Sequence, residues 1–157
     1  MTIKFLDSDT GFSVEFTDEV ADIFCDFHQC NSRNENGGML FCNVIDKSEI
    51  RITFISTTTN KDVTSKNFFQ HDKLESQKLI DRLFKRGLHY VGDWHSHFES
   101  EPEPSVKDIK TIKSVFNQSR HDLRFMLHVI MGADDDFKKA FVCITDGILV
   151  RKLNHDC

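Results

Sequence analysis

The sequence predicts an α+β fold in which helices pack against a central mixed β-sheet. Three observations support this fold class: strand pairs joined by turn sequences at both ends of the chain, two helices with clearly marked starts, and one segment that is apolar on both faces. The 157 residues are enough for one well-filled domain and too few for two, so we predict a single domain over residues 1–157.

The first part of the chain is predicted to contain a hairpin, a helix and a second pair of strands. The predicted strands are 3–6, 12–16, 38–45 and 49–57. Thr17 is a typical N-cap residue, and apolar residues follow it at helical spacing, so we predict a helix that ends near Cys30. Residues 58–71 are mostly polar and are predicted to form a loop, which either contacts a substrate or simply lies on the surface.

The second part of the chain is predicted to contain two more helices and four more strands. Asp72 and Glu75 form the capping pattern of a helix that ends before Gly87, and Ser105 is predicted to cap the next helix. The apolar stripe of that later helix is Val106, Ile109, Ile112 and Val115. The predicted strands are 89–97, 124–131, 139–145 and 148–153, with a two-residue turn at Asp146 and Gly147 between the last two.

Charge and hydropathy exclude two classes of partner. The formal net charge is -5 and the sequence pI is near 5.9, so the chain has no basic field for holding a phosphate backbone, and we predict no nucleic-acid partner. No apolar run approaches membrane-spanning length, and the N-terminus lacks the pattern of a secretory signal. We therefore expect a cytoplasmic protein without a membrane partner.

The cysteines are predicted to be reduced thiols. They are odd in number and form no Cys-x-x-Cys or zinc-finger spacing: Cys25, Cys30, Cys42, Cys143 and Cys157. Cys42 and Cys143 lie inside apolar runs, which is typical of small core residues. A cysteine protease is therefore a poor interpretation of this chain.

The segment 92–108 carries the strongest chemical signal. His95 and His97 lie two residues apart at the end of a predicted strand, so both side chains project from the same face, while Trp94 and Ser96 point the opposite way. Two imidazoles in that arrangement can share one metal ion. His128 lies in the segment that is apolar on both faces, and we predict that it is a hydrogen-bonded core residue and not a further ligand.

A carboxylate completes the predicted ligand set. Asp108 follows a proline-containing loop and lies in the first turn of the helix capped by Ser105, so the loop can return its carboxylate to the strand end that carries the histidines. Two imidazole nitrogens and one carboxylate oxygen suit zinc and leave a fourth position for water. Ser-x-x-Asp is also an ordinary capped helix start, but the combined pattern His-x-His-x(7)-Ser-x(2)-Asp is much more specific than either half.

This pattern resembles the JAMM motif of the MPN-domain (JAB-domain) metalloproteases. The resemblance implies a cytidine-deaminase-like MPN/JAB fold and one zinc ion per chain, bound by His95, His97 and Asp108. It also implies that Ser105 helps to stabilise the tetrahedral intermediate. The family's upstream glutamate, the general acid/base, is matched by Glu35, just before the glycines that start a predicted strand. The sequence departs from the family pattern at Phe98, where proline is usual.

Two further runs, 67–69 and 89–94, resemble a bacterial branch of the family that is encoded with CBASS antiphage systems. That resemblance implies a deconjugase, an isopeptidase or peptidase that hydrolyses the bond after the C-terminus of a conjugated protein. The implied substrate is a cGAS-like nucleotidyltransferase or a ubiquitin-like protein, and an E1/E2-like ligase system in the same operon is the implied partner.

Other interpretations stay open at this point. A non-catalytic MPN scaffold that binds a ubiquitin-like or partner protein is the main alternative, although such modules usually lack part of the ligand set. A zinc nucleobase deaminase would need His-x-Glu followed by Pro-Cys-x-x-Cys, and both are missing. Three glutamates after the histidines either attract a basic substrate or form a solvated rim: Glu99, Glu101 and Glu103.

Overall fold

The computed structural model describes residues 2–27, 34–66 and 68–157. The strands in these ranges are β1 Thr2–Leu6, β2 Ser13–Thr17, β3 Gly37–Cys42, β4 Glu49–Ile55, β5 Val63–Ser65, β6 Phe68–Gln70, β7 His89–Ser96, β8 Met126–Met131, β9 Phe141–Thr145 and β10 Val150–His155. The helices are α1 Asp18–Asp26, α2 Lys73–Phe84 and α3 Val106–Gln118, with a short 3-10 helix at Phe137–Lys139. The predicted α+β class is confirmed.

Eight strands form one mixed sheet that closes on itself in the order β1-β10-β9-β8-β7-β3-β4-β2. The pairs β2–β4 and β7–β8 are parallel, and the other pairs are antiparallel. The mixed sheet was predicted, but its closure was not, because closure depends on pairing between strands that are far apart in the sequence. Within the described residues, each of these eight strands therefore pairs with a neighbour on both sides.

The predicted helix starts are confirmed by their capping bonds. The Thr17 side chain accepts a hydrogen bond from the backbone N–H of Val20 at 3.3 Å, and the Asp72 side chain accepts one from Glu75 at 2.9 Å. Gly87 follows α2 with a φ of 80°, a left-handed conformation that glycine adopts without strain. The first helix ends at Asp26, and its predicted end at Cys30 lies outside the described residues.

Three details of the sequence prediction were wrong. The predicted loop 58–71 contains the two-stranded hairpin β5–β6. The last turn spans four residues, because Val150 pairs with Thr145 and the Asp146 side chain accepts hydrogen bonds from two backbone N–H groups in the turn. Val106 is 76% exposed, so the buried stripe of α3 does not begin at the first helical residue.

The core fixes the orientation of β7, the strand that carries the predicted ligands. Trp94 is fully buried, packs edge-on against Phe24 at 5.2 Å, and donates a hydrogen bond from Nε1 to the Ser56 carbonyl at 2.8 Å. Because alternate residues of a strand face opposite sides, this anchor turns His95 to the outer face of the sheet, toward α3. None of the helices in the described ranges is long and apolar enough to span a membrane.

Candidate metal centre

The end of β7 presents both histidines on one face, as predicted. His95 is buried, and the backbone N–H of His97 donates to the Met131 carbonyl at 2.7 Å, which holds the residue after β7 against β8. On the opposite face, the Ser96 hydroxyl accepts a hydrogen bond from the backbone N–H of Asn36 at 2.8 Å. The strand is therefore fixed on both sides at the point where the imidazoles project.

Asp108 is both a helix-capping residue and the third member of the group. The Ser105 hydroxyl accepts a hydrogen bond from the Asp108 N–H at 3.0 Å, and the Ser105 N–H donates to the Asp108 carboxylate at 2.8 Å, which forms a capping box. The same carboxylate lies 3.4 Å from His95 Nε2 and 3.1 Å from His97 Nε2. The two interpretations of Ser-x-x-Asp are therefore compatible, because the helix start orients the carboxylate toward the histidines.

These three residues fit a divalent metal ion. One ligand atom from each of His95, His97 and Asp108 lies within 4.8 Å of the others, and the two Nε2 atoms are 3.0 Å apart. Burial would raise the pKa of Asp108, but hydrogen bonds from both imidazoles outweigh it and hold that pKa well below its usual range. Burial lowers the pKa of His95, which favours its neutral imidazole. A neutral imidazole and an ionised carboxylate are the forms that bind metal.

Glu35 lies immediately before β3, next to the histidines. Its backbone N–H donates to the Ser65 carbonyl at 2.7 Å, and its carbonyl accepts a hydrogen bond from the Thr64 hydroxyl, so β5 holds its backbone on both sides. Its carboxylate lies 4.0 Å from His97 Nε2, and the residue is only 7% exposed. Burial raises the pKa of Glu35 to about 7, despite the opposing effect of His97.

This buried carboxyl group is expected to reduce the stability of the metal-free protein as the pH rises from about 4.5 to 7. The unfolded chain ionises Glu35 near its ordinary pKa of 4.5, whereas the folded chain does so near 7, so ionisation favours unfolding as the pH rises between these values. Glutamine does not ionise. Glu35→Gln is therefore expected to increase the free energy of unfolding by up to about 3 kcal/mol at pH 8 and by little at pH 4.5, as measured by urea unfolding.

Glu99→Gln is the matched control for that prediction, because its side chain lies beside His97 but is 63% exposed. We expect its effect on the free energy of unfolding to stay within about 0.5 kcal/mol at both pH values. A Glu35→Gln variant with the same stability increment at pH 4.5 and pH 8 would contradict the raised pKa.

A cleft of about 350 Å³ opens over the three ligand candidates and Glu35. Phe68 and Phe69 of β6 form part of its wall, and Lys107 on α3 places its ammonium 4.2 Å from the centre of the Phe68 ring. Phe98, which departs from the family pattern, also lines the cleft and is 41% exposed. Part of the segment predicted as a surface loop therefore lies beside the candidate site.

Of the three glutamates in the predicted acidic rim, Glu99 contacts the site. Glu99 lines the cleft, and its carboxylate lies 3.8 Å from His97 Nδ1. Glu101 and Glu103 are exposed. Among the described residues, His97 Nδ1 is a buried atom without a hydrogen-bond partner, because the Glu99 oxygen is too distant to accept a hydrogen bond.

Sequence reasoning did not identify Asp93 and His71, two further residues that line the cleft. Asp93 accepts a hydrogen bond from the Tyr90 hydroxyl at 2.9 Å and lies 3.4 Å from His71 Nε2. Asp93 precedes His95 by two residues, so strand alternation places it on the same face as the two histidines. No sequence signal indicates His71, because its approach depends on the path of the chain between β6 and α2.

The predictions that Cys42 and Cys143 are core residues and that His128 is a hydrogen-bonded core histidine are confirmed. Burial raises the pKa of Cys42 to about 11 and that of Cys143 to about 12, as expected for core thiols. His128 is buried and lies 2.7 Å from His95, ring nitrogen to ring nitrogen, which confirms a hydrogen-bonded core histidine. Cys30 lies outside the described residues.

Comparisons with known proteins show the family of this chain. A family described as prokaryotic homologs of the JAB domain matches residues 17–143. A protein of Enterobacter hormaechei subsp. hoffmannii named CD-NTase/cGAS isopeptidase is 30% identical over 102 residues, which cover 64% of this chain and 57% of that protein. An Escherichia coli protein with the same name is 33% identical over 63 residues, which cover 38% of this chain and 40% of the relative. The matches thus span less than two thirds of either relative.

The fold also matches a solved structure. The solution structure of a protein from Desulfitobacterium hafniense has a TM-score of 0.63 to this chain, with 17% sequence identity and 88% of each chain covered. At that level of identity the match concerns the fold alone.

Proposed function

The chain belongs to the prokaryotic JAB-domain family, and from that premise we propose that it is a zinc-dependent isopeptidase or peptidase that removes a protein conjugate. The observation that carries the proposal is the convergence of His95, His97 and Asp108 within 4.8 Å, beside the buried carboxyl group of Glu35. Two nitrogen ligands, one oxygen ligand and a nearby base are the parts that metal-assisted hydrolysis needs.

The proposed substrate is a protein conjugated through its C-terminus. The names of the two relatives support a cGAS-like nucleotidyltransferase as the conjugated protein, and a ubiquitin-like protein is the alternative substrate of the same chemical class. An E1/E2-like ligase system would supply such conjugates. The same cleft of about 350 Å³ would have to receive the protein tail that carries the bond.

His95, His97 and Asp108 would hold the zinc ion. A zinc ion in such a site acts as a Lewis acid and makes water a competent nucleophile near neutral pH. Glu35 takes a proton from the attacking water and returns it to the departing amine, which is a lysine side chain in an isopeptide. Its raised pKa suits both steps, because a base with a pKa near the working pH can accept and release a proton.

Ser105 would stabilise the oxyanion that forms as the carbonyl is attacked. In the helix cap, its hydroxyl oxygen accepts a hydrogen bond from the Asp108 N–H. The hydroxyl proton can therefore be donated toward the cleft, which Ser105 lines. One group would thus serve the helix start and the reaction.

Ser105→Ala is expected to lower the rate of cleavage by about 100- to 1,000-fold, the usual effect of losing one oxyanion donor. Alanine also weakens the helix start by about 1 kcal/mol, whereas glycine at an N-cap costs only a few tenths of a kcal/mol. Ser105→Gly is therefore the matched variant, because it removes the hydroxyl and preserves more of the cap. Equal rate losses in the two variants would support a donor role; a glycine variant with nearly full activity would limit Ser105 to capping.

The proposed function is tested with a protein joined through its C-terminus to a lysine side chain. The zinc-loaded chain is expected to release both partners, with masses that sum to the conjugate plus one water, and cleavage is expected to stop with a metal chelator. A zinc-loaded chain that binds such conjugates without cleaving them would instead favour a scaffold.

A further inference from the structure

We propose that His128 is a positioning residue that holds the imidazole of His95 in the orientation and tautomer needed for metal binding. This inference rests on the proposed function, because it concerns the same metal centre. His128 lies on β8, the parallel neighbour of β7, in register with Asp93. That register places its ring beside His95, with the ring centres 4.8 Å apart.

The two ring nitrogens of His95 have different neighbours. Nε2 lies 3.4 Å from Asp108 and 3.0 Å from His97 Nε2, which is the side on which a metal ion would bind. Nδ1 lies 2.7 Å from His128 Nε2. A histidine that binds metal through Nε2 carries its proton on Nδ1, so His95 would donate this proton to His128. His128 then acts as the acceptor that fixes the ring.

His128 is suited to accept a hydrogen bond and is not placed as a ligand. It is buried, only 8% exposed, so few groups other than the neighbouring ring can bond to its imidazole. Its Nε2 faces the nitrogen of His95 that points away from Asp108. Within the described ranges, the group that could hold a metal consists of His95, His97 and Asp108 and does not include His128.

The two proposed histidine ligands therefore differ in the hydrogen bonding of their Nδ1 atoms. His97 Nδ1 lacks a hydrogen-bond partner within the described ranges, and the closest carboxylate, that of Glu99, is 3.8 Å away on a side chain that is 63% exposed. His95 Nδ1 instead lies 2.7 Å from a ring nitrogen of the buried His128. Removal of that ring would leave a buried N–H without an acceptor and would release the rotation of the His95 ring about its side-chain bonds.

The test compares zinc affinities of the full chain by competition with a metal chelator, independently of cleavage. His128→Leu is expected to weaken zinc binding by about 10- to 100-fold, the usual effect of losing an outer hydrogen-bond partner. His128→Gln retains an acceptor at about the position of Nε2 and is expected to recover most of the affinity. Val129→Ala is the matched control, because it truncates the next residue of β8, which is buried in the main core.

Zinc binding by His128→Leu as tight as in the wild type would overturn the inference, as would an equal loss in Val129→Ala. Should His128→Leu fail to fold, nitrogen-15 NMR of the zinc-loaded wild type decides: we expect His95 to carry a hydrogen-bonded proton on Nδ1, and a freely exchanging proton there would refute the role of His128. A wild-type chain without zinc affinity would refute the proposed metal centre itself. That result differs from one in which the wild type and His128→Leu bind zinc equally well, which refutes only the role of His128.

Discussion

Glu35→Gln is expected to lower the rate of conjugate cleavage by about 100- to 10,000-fold and to leave zinc binding unchanged. Glutamine keeps the size of the side chain but cannot take a proton from water. Glu35 lies outside the group formed by His95, His97 and Asp108, and its carboxylate is 4.0 Å from His97 Nε2, so its substitution removes no ligand. The expected signature is a protein with full metal content and little turnover.

The measurement is single-turnover cleavage of a lysine-linked conjugate together with the zinc content of the same preparation. Glu99→Gln is the matched control, since it removes a carboxylate beside His97 from an exposed position, and we expect its rate to stay within about tenfold of the wild type. Glu35→Gln with wild-type turnover would remove Glu35 from the role of general acid/base.

Substitution of either proposed histidine ligand is expected to abolish both zinc binding and cleavage. His95→Ala removes one of the three proposed ligand atoms and leaves the partly buried Asp108 carboxylate with one imidazole neighbour fewer. The loss of zinc affinity should exceed the roughly 10- to 100-fold effect of an outer-sphere substitution. His97→Ala is expected to give the same result, since its Nε2 is 3.1 Å from the same carboxylate.

His89→Ala is the matched control for the ligand variants, because it removes a histidine from the start of the same strand, away from the metal group. Zinc content by elemental analysis and the cleavage rate are both expected to stay near the wild-type values in this control. A His95→Ala protein that keeps one zinc per chain would show that the metal lies elsewhere.

The local features of the site were predictable from the sequence because they depend on short-range geometry. Strand alternation placed His95 and His97 on one face, opposite Trp94, and the Ser105 cap brought Asp108 back to them. Glu35 was identified through family resemblance, since a glutamate before two glycines has no distinctive periodicity.

The features that surround the site depend on contacts between distant parts of the chain and were not predictable. The backbone hydrogen bond between Glu35 and Ser65 of β5 joins residues that are 30 apart in the sequence. Ser65 lies in a segment whose polar composition favoured a loop, although it forms the β5–β6 hairpin. The contact between His95 and His128 depends on the register of a parallel strand pair, which the sequence does not specify. The pairing of His71 with Asp93 has the same origin.

The central claim, that one zinc ion at His95, His97 and Asp108 drives hydrolysis, is tested most directly by titration. The metal-free wild-type chain is mixed with increasing zinc, and cleavage of a lysine-linked conjugate is followed at each step. We predict no cleavage without metal, a linear rise in rate up to one zinc per chain, and a plateau beyond it. Full cleavage by the metal-free chain, or no cleavage after one zinc has bound, would contradict the claim.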